Sequence, residues 1–206
     1  MRGAFIVLEG CDRVGKTTQA ALLCDALRAR GSRVLPLKFP KRDGPTGVLL
    51  ASYLKGLEMH PRTAQLLFSA NRWEEKNNIE ELLDSGAHVV CDRYVHSGVV
   101  YAAASGAPPS TADVGLPAPD MVLHLDMPVA TLLERDGFGE ERYEERDVQR
   151  KARVGFLQFR KHTANWLTFD AESPVAELSY SILTEVTRRL PHLGPRRTLC
   201  FSDLVQ

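Results

Sequence analysis

Residues 4–17 read Ala4-Phe5-Ile6-Val7-Leu8-Glu9-Gly10-Cys11-Asp12-Arg13-Val14-Gly15-Lys16-Thr17, and the fold follows from the order of these residue types. The apolar run 4–8 is too short for a helix and rich in strand formers, which suits a strand buried on both faces. Directly after it come two glycines five positions apart, then Lys16 and a hydroxyl residue. Gly10 and Gly15 let the backbone curl until several N–H groups point inward, and a helix opening at Lys16 adds the positive end of its dipole. Such a loop holds the phosphates of a nucleoside triphosphate, with Lys16 reaching the outer phosphates and Thr17 Oγ1 placed to ligate Mg²⁺. A chance Gly-rich turn matches the bare pattern too, but the strand before it and the helix after it are the context that separates the two.

Downstream, residues 18–30 carry Ala21, Leu22, Leu23, Ala26 and Leu27 at helical spacing, with Gly31 as a left-handed stop. Residues 34–39, 87–91 and 121–125 read as further short strands. A weaker fifth covers 165–169, where a helix from 152 to 166 and a capping turn at Phe169-Asp170 account for the same residues. Helical periodicity marks 64–77, 79–83, 129–134 and 175–190. Strands alternating with helices require right-handed crossovers, so the expected class is α/β, a parallel sheet with helices on both faces. A single domain is expected over 1–190. Residues 105–119 read as a surface loop, and 191–206 as an extended C-terminal tail tucked against the body through Leu199 and Phe201.

Bulk properties narrow the function. The 206 residues are enough for one core that buries roughly two-thirds of the unfolded surface. Lys plus Arg and Asp plus Glu both number 26, so no global charge draws the chain to a nucleic acid polymer or an anionic membrane, and any anion site is local. Cys11, Cys24, Cys91 and Cys200 have no paired spacing of the zinc or redox kind, which favours reduced, mostly buried thiols. Met1 and Arg2 lead straight into the first strand without a cleavage site, and no apolar stretch is long enough to span a bilayer. The expected setting is cytoplasmic, with nuclear or host-cell settings left open.

Two charges inside the phosphate loop are unusual. Arg13 can stabilise charge on the transferring group from within its own chain, and Asp12, among so many phosphates, suits a hydroxyl of the acceptor; exposed loop charges are the plainer reading of both. The third strand ends in Asp92-Arg93-Tyr94, putting a carboxylate and a guanidinium at the strand edge where open sheets bind ligands. Asp92 can orient Mg²⁺ through water or contact the acceptor, and Arg93 is a fork for phosphate, unless the two only pair with each other. On a helix over 62–77, Phe68 and Arg72 are four apart and face one way, as a stacking ring and a hydrogen-bonding grip for a base; periodicity alone places Phe68 more often in a core.

Four stretches are similar to thymidylate kinases: Phe39-Pro40-Lys41-Arg42, Leu66-Leu67-Phe68-Ser69-Ala70-Asn71-Arg72-Trp73-Glu74, Asp92-Arg93-Tyr94 and Gly115-Leu116-Pro117-Ala118-Pro119-Asp120. The resemblance runs from the first strand to about Ala171. It implies a three-layer P-loop kinase fold with a five-stranded parallel sheet in the order 2-3-1-4-5, and ATP-dependent phosphorylation of dTMP to dTDP with Mg²⁺. By position it implies a catalytic set of Arg13, Lys16, Asp92 and Arg93, metal contacts from Thr17 and Asp92, and an ATP site from Gly10, Cys11, Asp12, Arg13, Val14, Gly15, Lys16, Thr17 and Thr18, with Arg135 flanking adenine. For the acceptor it implies that Phe68 stacks on thymine, Arg72 bonds the base, Arg42 and Arg93 hold the phosphate, and Asp12 meets the 3′-hydroxyl. Tyr101 would exclude a 2′-hydroxyl, with Ser97, Gly98, Phe39, Arg142 and Tyr143 around the same nucleotide. A lid over 135–144 would carry Arg142 to acceptor-side groups, although a helix linker with i,i+4 ion pairs explains the same charges. The resemblance further implies a homodimer with Trp73 near the contact.

Asp43-Gly44-Pro45 departs from the family's usual hydroxyl residues, and His96 stands where an apolar residue is common; packing or hydrogen bonding suits it better than catalysis. A deoxynucleoside kinase shares the sheet and loop, but Arg42 and Arg93 would then aim at an uncharged sugar. A P-loop switch or ATPase would end its third strand in a water-positioning residue rather than Asp-Arg-Tyr.

Overall fold

The computed structural model describes residues 2–135 and 138–204. Its centre is a sheet of five parallel strands, β1 (Phe5–Glu9), β2 (Val34–Lys38), β3 (His88–Asp92), β4 (Met121–Asp126) and β5 (Trp166–Asp170), in the order β2-β3-β1-β4-β5. The helices are α1 (Lys16–Arg28), α2 (Gly44–Leu54), α3 (Pro61–Trp73), α4 (Lys76–Asp84), α5 (Val95–Ala104), α6 (Val129–Leu133), α7 (Arg146–His162) and α8 (Val175–Arg189). The strand order matches the expectation, and β1 is central with no exposed side chain from Phe5 to Leu8.

Period-two alternation divides β1 between two cores. Ile6 and Leu8 face Leu23 and Leu27 of α1 and Ile182 and Val186 of α8, while Phe5 and Val7 face Ile79 and Leu83 of α4. The second core also takes Leu199 and Leu204 from the end of the chain. The tail is therefore anchored as expected by Leu199, which exchanges backbone hydrogen bonds with Gly115 and Leu116. Phe201, however, is exposed and Leu204 takes its place, because the 3₁₀ turn over Phe201–Asp203 rotates the ring outward.

Two other expectations need correction. The helix read as continuous over 62–77 breaks at Glu74-Glu75, where Lys41 and Asn78 hold the Glu75 carboxylate and the chain turns so that Ile79 and Leu83 reach the sheet. Helix α2, for which no element was expected, has Pro45 in its first turn, buries Gly47, Leu50, Tyr53 and Leu54, and packs Gly47 on the Lys41 and Arg42 backbone, where a Cβ would come within 2.5 Å of an oxygen. Residues 105–119 contain no long regular element, yet they are more than a surface loop: Leu116 is fully buried and Asp113 nearly so. Residues 166–170 form β5, and the helix before them ends at His162.

His96 and His124 lie in an aromatic cluster behind the sheet. His96 meets Phe159 and Trp166 edge-on, and His124 lies against Phe156 and Trp166. Cys11, Cys24 and Cys91 are buried, and all four cysteines are free thiols. Burial holds the His124 imidazole down to about 4 from an ordinary 6.5. It stays neutral in the fold while its unfolded counterpart charges, so its stability contribution is complete above pH 6.5 and is lost as pH falls towards 4. Urea melts across that window should show a loss of up to about 3 kcal/mol, and His124→Phe should flatten the slope; an unchanged slope in the variant would assign the effect elsewhere.

Candidate active site

The carboxyl ends of β1, β2 and β3 open into a cavity of about 620 Å³. Its floor is the loop between β1 and α1. Gly10 has φ +143°, and its Cβ position lies 2.4 Å from the Leu125 carbonyl, so no side chain fits there. Gly15 (φ +100°) precedes α1 directly. Asp12, Arg13, Gly15, Lys16, Thr17 and Thr18 border the cavity, while Gly10, Cys11 and Val14 form the back of the loop. Lys16 is buried and bonds the Cys11 carbonyl. Desolvation, with Arg93 adding repulsion, lowers its ammonium to about 8 against the pull of Asp12 and Asp92.

Asp12 and Arg93 form the joint of the site. Arg93 pairs with Asp12 Oδ1 and also donates to the Gly10 carbonyl (3.2 Å) and Ser97 Oγ (3.1 Å). Asp12 Oδ2 accepts from Tyr101 (2.8 Å) and Gln149 (2.6 Å), and the Gln149 amide oxygen takes the Asp12 N–H (3.0 Å). Burial alone would raise the Asp12 carboxyl, but Arg93, Lys16 and the two hydrogen bonds outweigh it and hold the group below its usual range. Arg93 itself sits at φ +71°, and Arg13 at φ +59°. Behind them, Glu9 is fully buried and accepts from the N–H groups of Tyr94 and Ser97 and from Ser97 Oγ, fixing the start of α5.

Asp92 and Thr17 meet at 2.5 Å, and Lys38 Nζ lies 3.1 Å from Thr17 Oγ1 and 3.4 Å from Asp92 Oδ2. Asp92 Oδ1 is buried with no hydrogen-bond partner among the described residues. A carboxylate with one oxygen on a threonine hydroxyl and the other unpartnered fits a hard divalent cation that would draw its remaining ligands from phosphates and water. No cluster of three His, Cys, Asp or Glu able to hold a metal occurs among the described residues.

The other wall comes from α2, α3, α5 and the lid. Phe68, Tyr53, Tyr101 and Tyr143 form a chain of ring contacts with centroids 5.1–6.4 Å apart. Phe68 borders the cavity and is half-buried, so it is a wall of the site and not an interior core residue. Arg72, Phe39, Arg42, Ser97, Gly98 and Arg135 border it too. Arg42 pairs with Glu141 of the lid. Arg142 does not reach the cavity: it lies over Tyr53 and bonds the Tyr53 and Leu57 carbonyls, anchoring the lid to the end of α2. Residues 136 and 137 of the lid lie outside the described residues.

Several contributors had no signal in the sequence. Glu144 accepts Arg13 Nε at 2.8 Å, and its other oxygen takes the N–H groups of Gly139 and Glu140 at 2.9 and 3.0 Å. Gln149 lies on α7 and Asp113 in the loop before β4, both far from the motifs they support. No helix among the described residues is long and apolar enough to cross a membrane.

A central β1, a phosphate loop opening α1, and arginines converging from β3 and α2 define a P-loop nucleotide kinase. The sequence model of the thymidylate kinase family matches residues 8–182. The chain is 44% identical to human thymidylate kinase over 183 residues, covering 84% of this chain and 85% of that one. It is 40% identical to the Plasmodium falciparum thymidylate kinase, covering 91% of each. The solved Candida albicans thymidylate kinase superposes with a TM-score of 0.86 at 29% identity, covering 97% of this chain and 99% of that one. The chain belongs to the thymidylate kinase family.

Glu144 ties Arg13 to the lid backbone, so Glu144→Gln should loosen the lid. Limited trypsin digestion of the unliganded protein should then cut after Arg135 or Arg142 about tenfold faster. Equal cleavage rates would mean that the carboxylate does not hold the lid.

Proposed function

We propose that this chain transfers the γ-phosphate of ATP to dTMP, giving dTDP, with Mg²⁺ as the divalent cation held by Thr17 and Asp92. The observation that carries the reading is that Arg42 and Arg93 border the same cavity as the phosphate loop, which suits a charged acceptor. A nucleoside would leave two guanidinium forks without an anion.

Phosphoryl transfer through a loose transition state needs alignment and charge neutralisation more than covalent chemistry. Bound Mg²⁺ supplies charge neutralisation on the donor phosphates. Lys16 and Arg13 do the same from the loop, with Arg13 exchanging its carboxylate partners for phosphate oxygens. Arg42 and Arg93 hold the acceptor phosphate in line, and Phe68 and Arg72 hold the base. Asp12 still has lone pairs for a 3′-hydroxyl, since its three bonded partners do not exhaust a carboxylate. The Tyr101 ring, held at the cavity border by its bond to Asp12, would stand against the 2′ position of the acceptor sugar and so favour deoxyribose. Arg135 flanks the adenine, and the lid excludes water that would otherwise accept the phosphate.

The same reading extends to the assembly. The chain works as one domain over 1–190 with a tail at 191–206, in a cytoplasmic setting, as a homodimer that covers the exposed Leu66 and Trp73 of α3 and Val48 and Leu49 of α2. Neither a nucleic acid polymer nor a membrane is a partner.

Coupled ADP-release assays with ATP and Mg²⁺ and with dTMP, dUMP, dCMP, UMP or thymidine as acceptor test this directly. Selective turnover of dTMP is expected, and Arg93→Ala should lower kcat/KM at least about a hundredfold. Turnover of thymidine without dTMP would refute the roles of Arg42 and Arg93, and acceptor-independent hydrolysis would refute the kinase reading.

A further inference from the structure

We infer that Asp113 is a positioning residue that aims Arg72 at the acceptor base, so that a loop outside the cavity sets the choice between a base edge bearing a carbonyl and one bearing an amino group. The inference rests on the proposed placement of the base against Phe68 and Arg72.

Arg72 is only 3% exposed and Asp113 7%. A buried guanidinium needs a counter-charge and a fixed geometry. Asp113 provides both: Oδ1 accepts from Arg72 Nε at 3.0 Å and Oδ2 from Nη2 at 2.7 Å, in a two-point fork. Ser69 Oγ donates a third bond to the carboxylate at 2.8 Å. The fork consumes one edge of the guanidinium and leaves Nη1 without a hydrogen-bond partner among the described residues, and Arg72 borders the cavity. Across from it stands Gly98, where a Cβ would lie 2.7 Å from Nη2 and 3.0 Å from Nη1. The guanidinium is thus confined in its plane by Asp113 and pressed by α5 at its face.

Asp113 itself is held from outside. Trp73 Nε1 donates to the Ala112 carbonyl at 2.6 Å, and Gly115 N–H donates to the Leu199 carbonyl at 3.0 Å, so α3 and the tail grip the loop on either side of the carboxylate. The guanidinium edge that the fork leaves over offers hydrogens only and accepts none. It favours a pyrimidine with a carbonyl at the exposed edge, as in thymine, over cytosine, whose amino group is a donor. The pairing does not separate thymine from uracil, which present the same carbonyl.

The test compares wild type, Asp113→Asn and Arg72→Lys in steady-state assays with dTMP and dCMP, with KM for ATP and Tm measured in parallel. D113N is expected to raise KM for dTMP about tenfold, change kcat by less than about threefold, leave KM for ATP unchanged, and narrow the dTMP-to-dCMP ratio of kcat/KM by a similar factor. A lower Tm and a lower kcat for both acceptors, with KM and the ratio unmoved, would show a merely structural role and overturn the inference. R72K, which keeps the charge but loses the fork, separates the two levels. If it shifts KM and the ratio while D113N does not, the positioning role fails alone; if neither variant shifts them, the base placement fails as well. Should D113N not fold, Asp113→Glu keeps the charge balanced and moves the carboxylate by one methylene, and the same split between KM and kcat is expected of it.

Discussion

The carboxylate of Asp12 receives Arg93, Tyr101 and Gln149 at once, and the geometry of the whole cavity depends on that junction. It joins the loop after β1 to the end of β3, to α5 and to α7, four elements that otherwise touch the site from different directions. Removing a carboxylate and a guanidinium from water is costly, and a pair of this kind is favourable only where geometry is good and the remaining lone pairs are satisfied. Here both conditions hold. The backbones of Arg13 and Arg93 are left-handed, a conformation that costs a residue with a Cβ roughly 1 kcal/mol or more and persists because the surrounding bonds hold it.

The arginines suited to phosphate share a further property. Arg13 pairs with Glu144, Arg42 with Glu141 and Arg93 with Asp12. A carboxylate and a phosphate present similar oxygen geometry to a guanidinium fork, so each carboxylate keeps its arginine extended and oriented and prevents three like charges from repelling one another across one cavity. Two of these three carboxylates belong to the lid. In the proposed reaction, exchanging them for phosphate oxygens would tie occupancy of the site to lid position through the same side chains.

The phosphate loop and the sheet were legible in the residues because each follows from local chemistry: glycine spacing, an apolar run too short for a helix, alternation of strand and helix. Asp92 and Arg93 were legible from their position at a strand edge. Phe68 was ambiguous by periodicity, since a helix face that lines a cavity and one that lines a core carry the same pattern, and only its half-buried place at the cavity border separates them. Gln149, Asp113 and Glu144 were invisible for a different reason. Each is a single polar residue in a polar stretch, and its importance comes from what the tertiary fold places opposite it. Arg142 shows the converse: a charge in the right segment whose side chain the fold turns onto Tyr53 and away from the cavity.

The central claim is that Asp12 joins the donor and acceptor halves of the site. Calorimetric titration of ADP and of dTMP, each alone, into wild type and Asp12→Asn tests it most directly. The account predicts that dTMP affinity falls at least about tenfold and that ADP affinity falls as well, since loss of the carboxylate releases Arg93 and the phosphate loop together. Affinities for both ligands within twofold of wild type, in a protein with unchanged Tm, would contradict it.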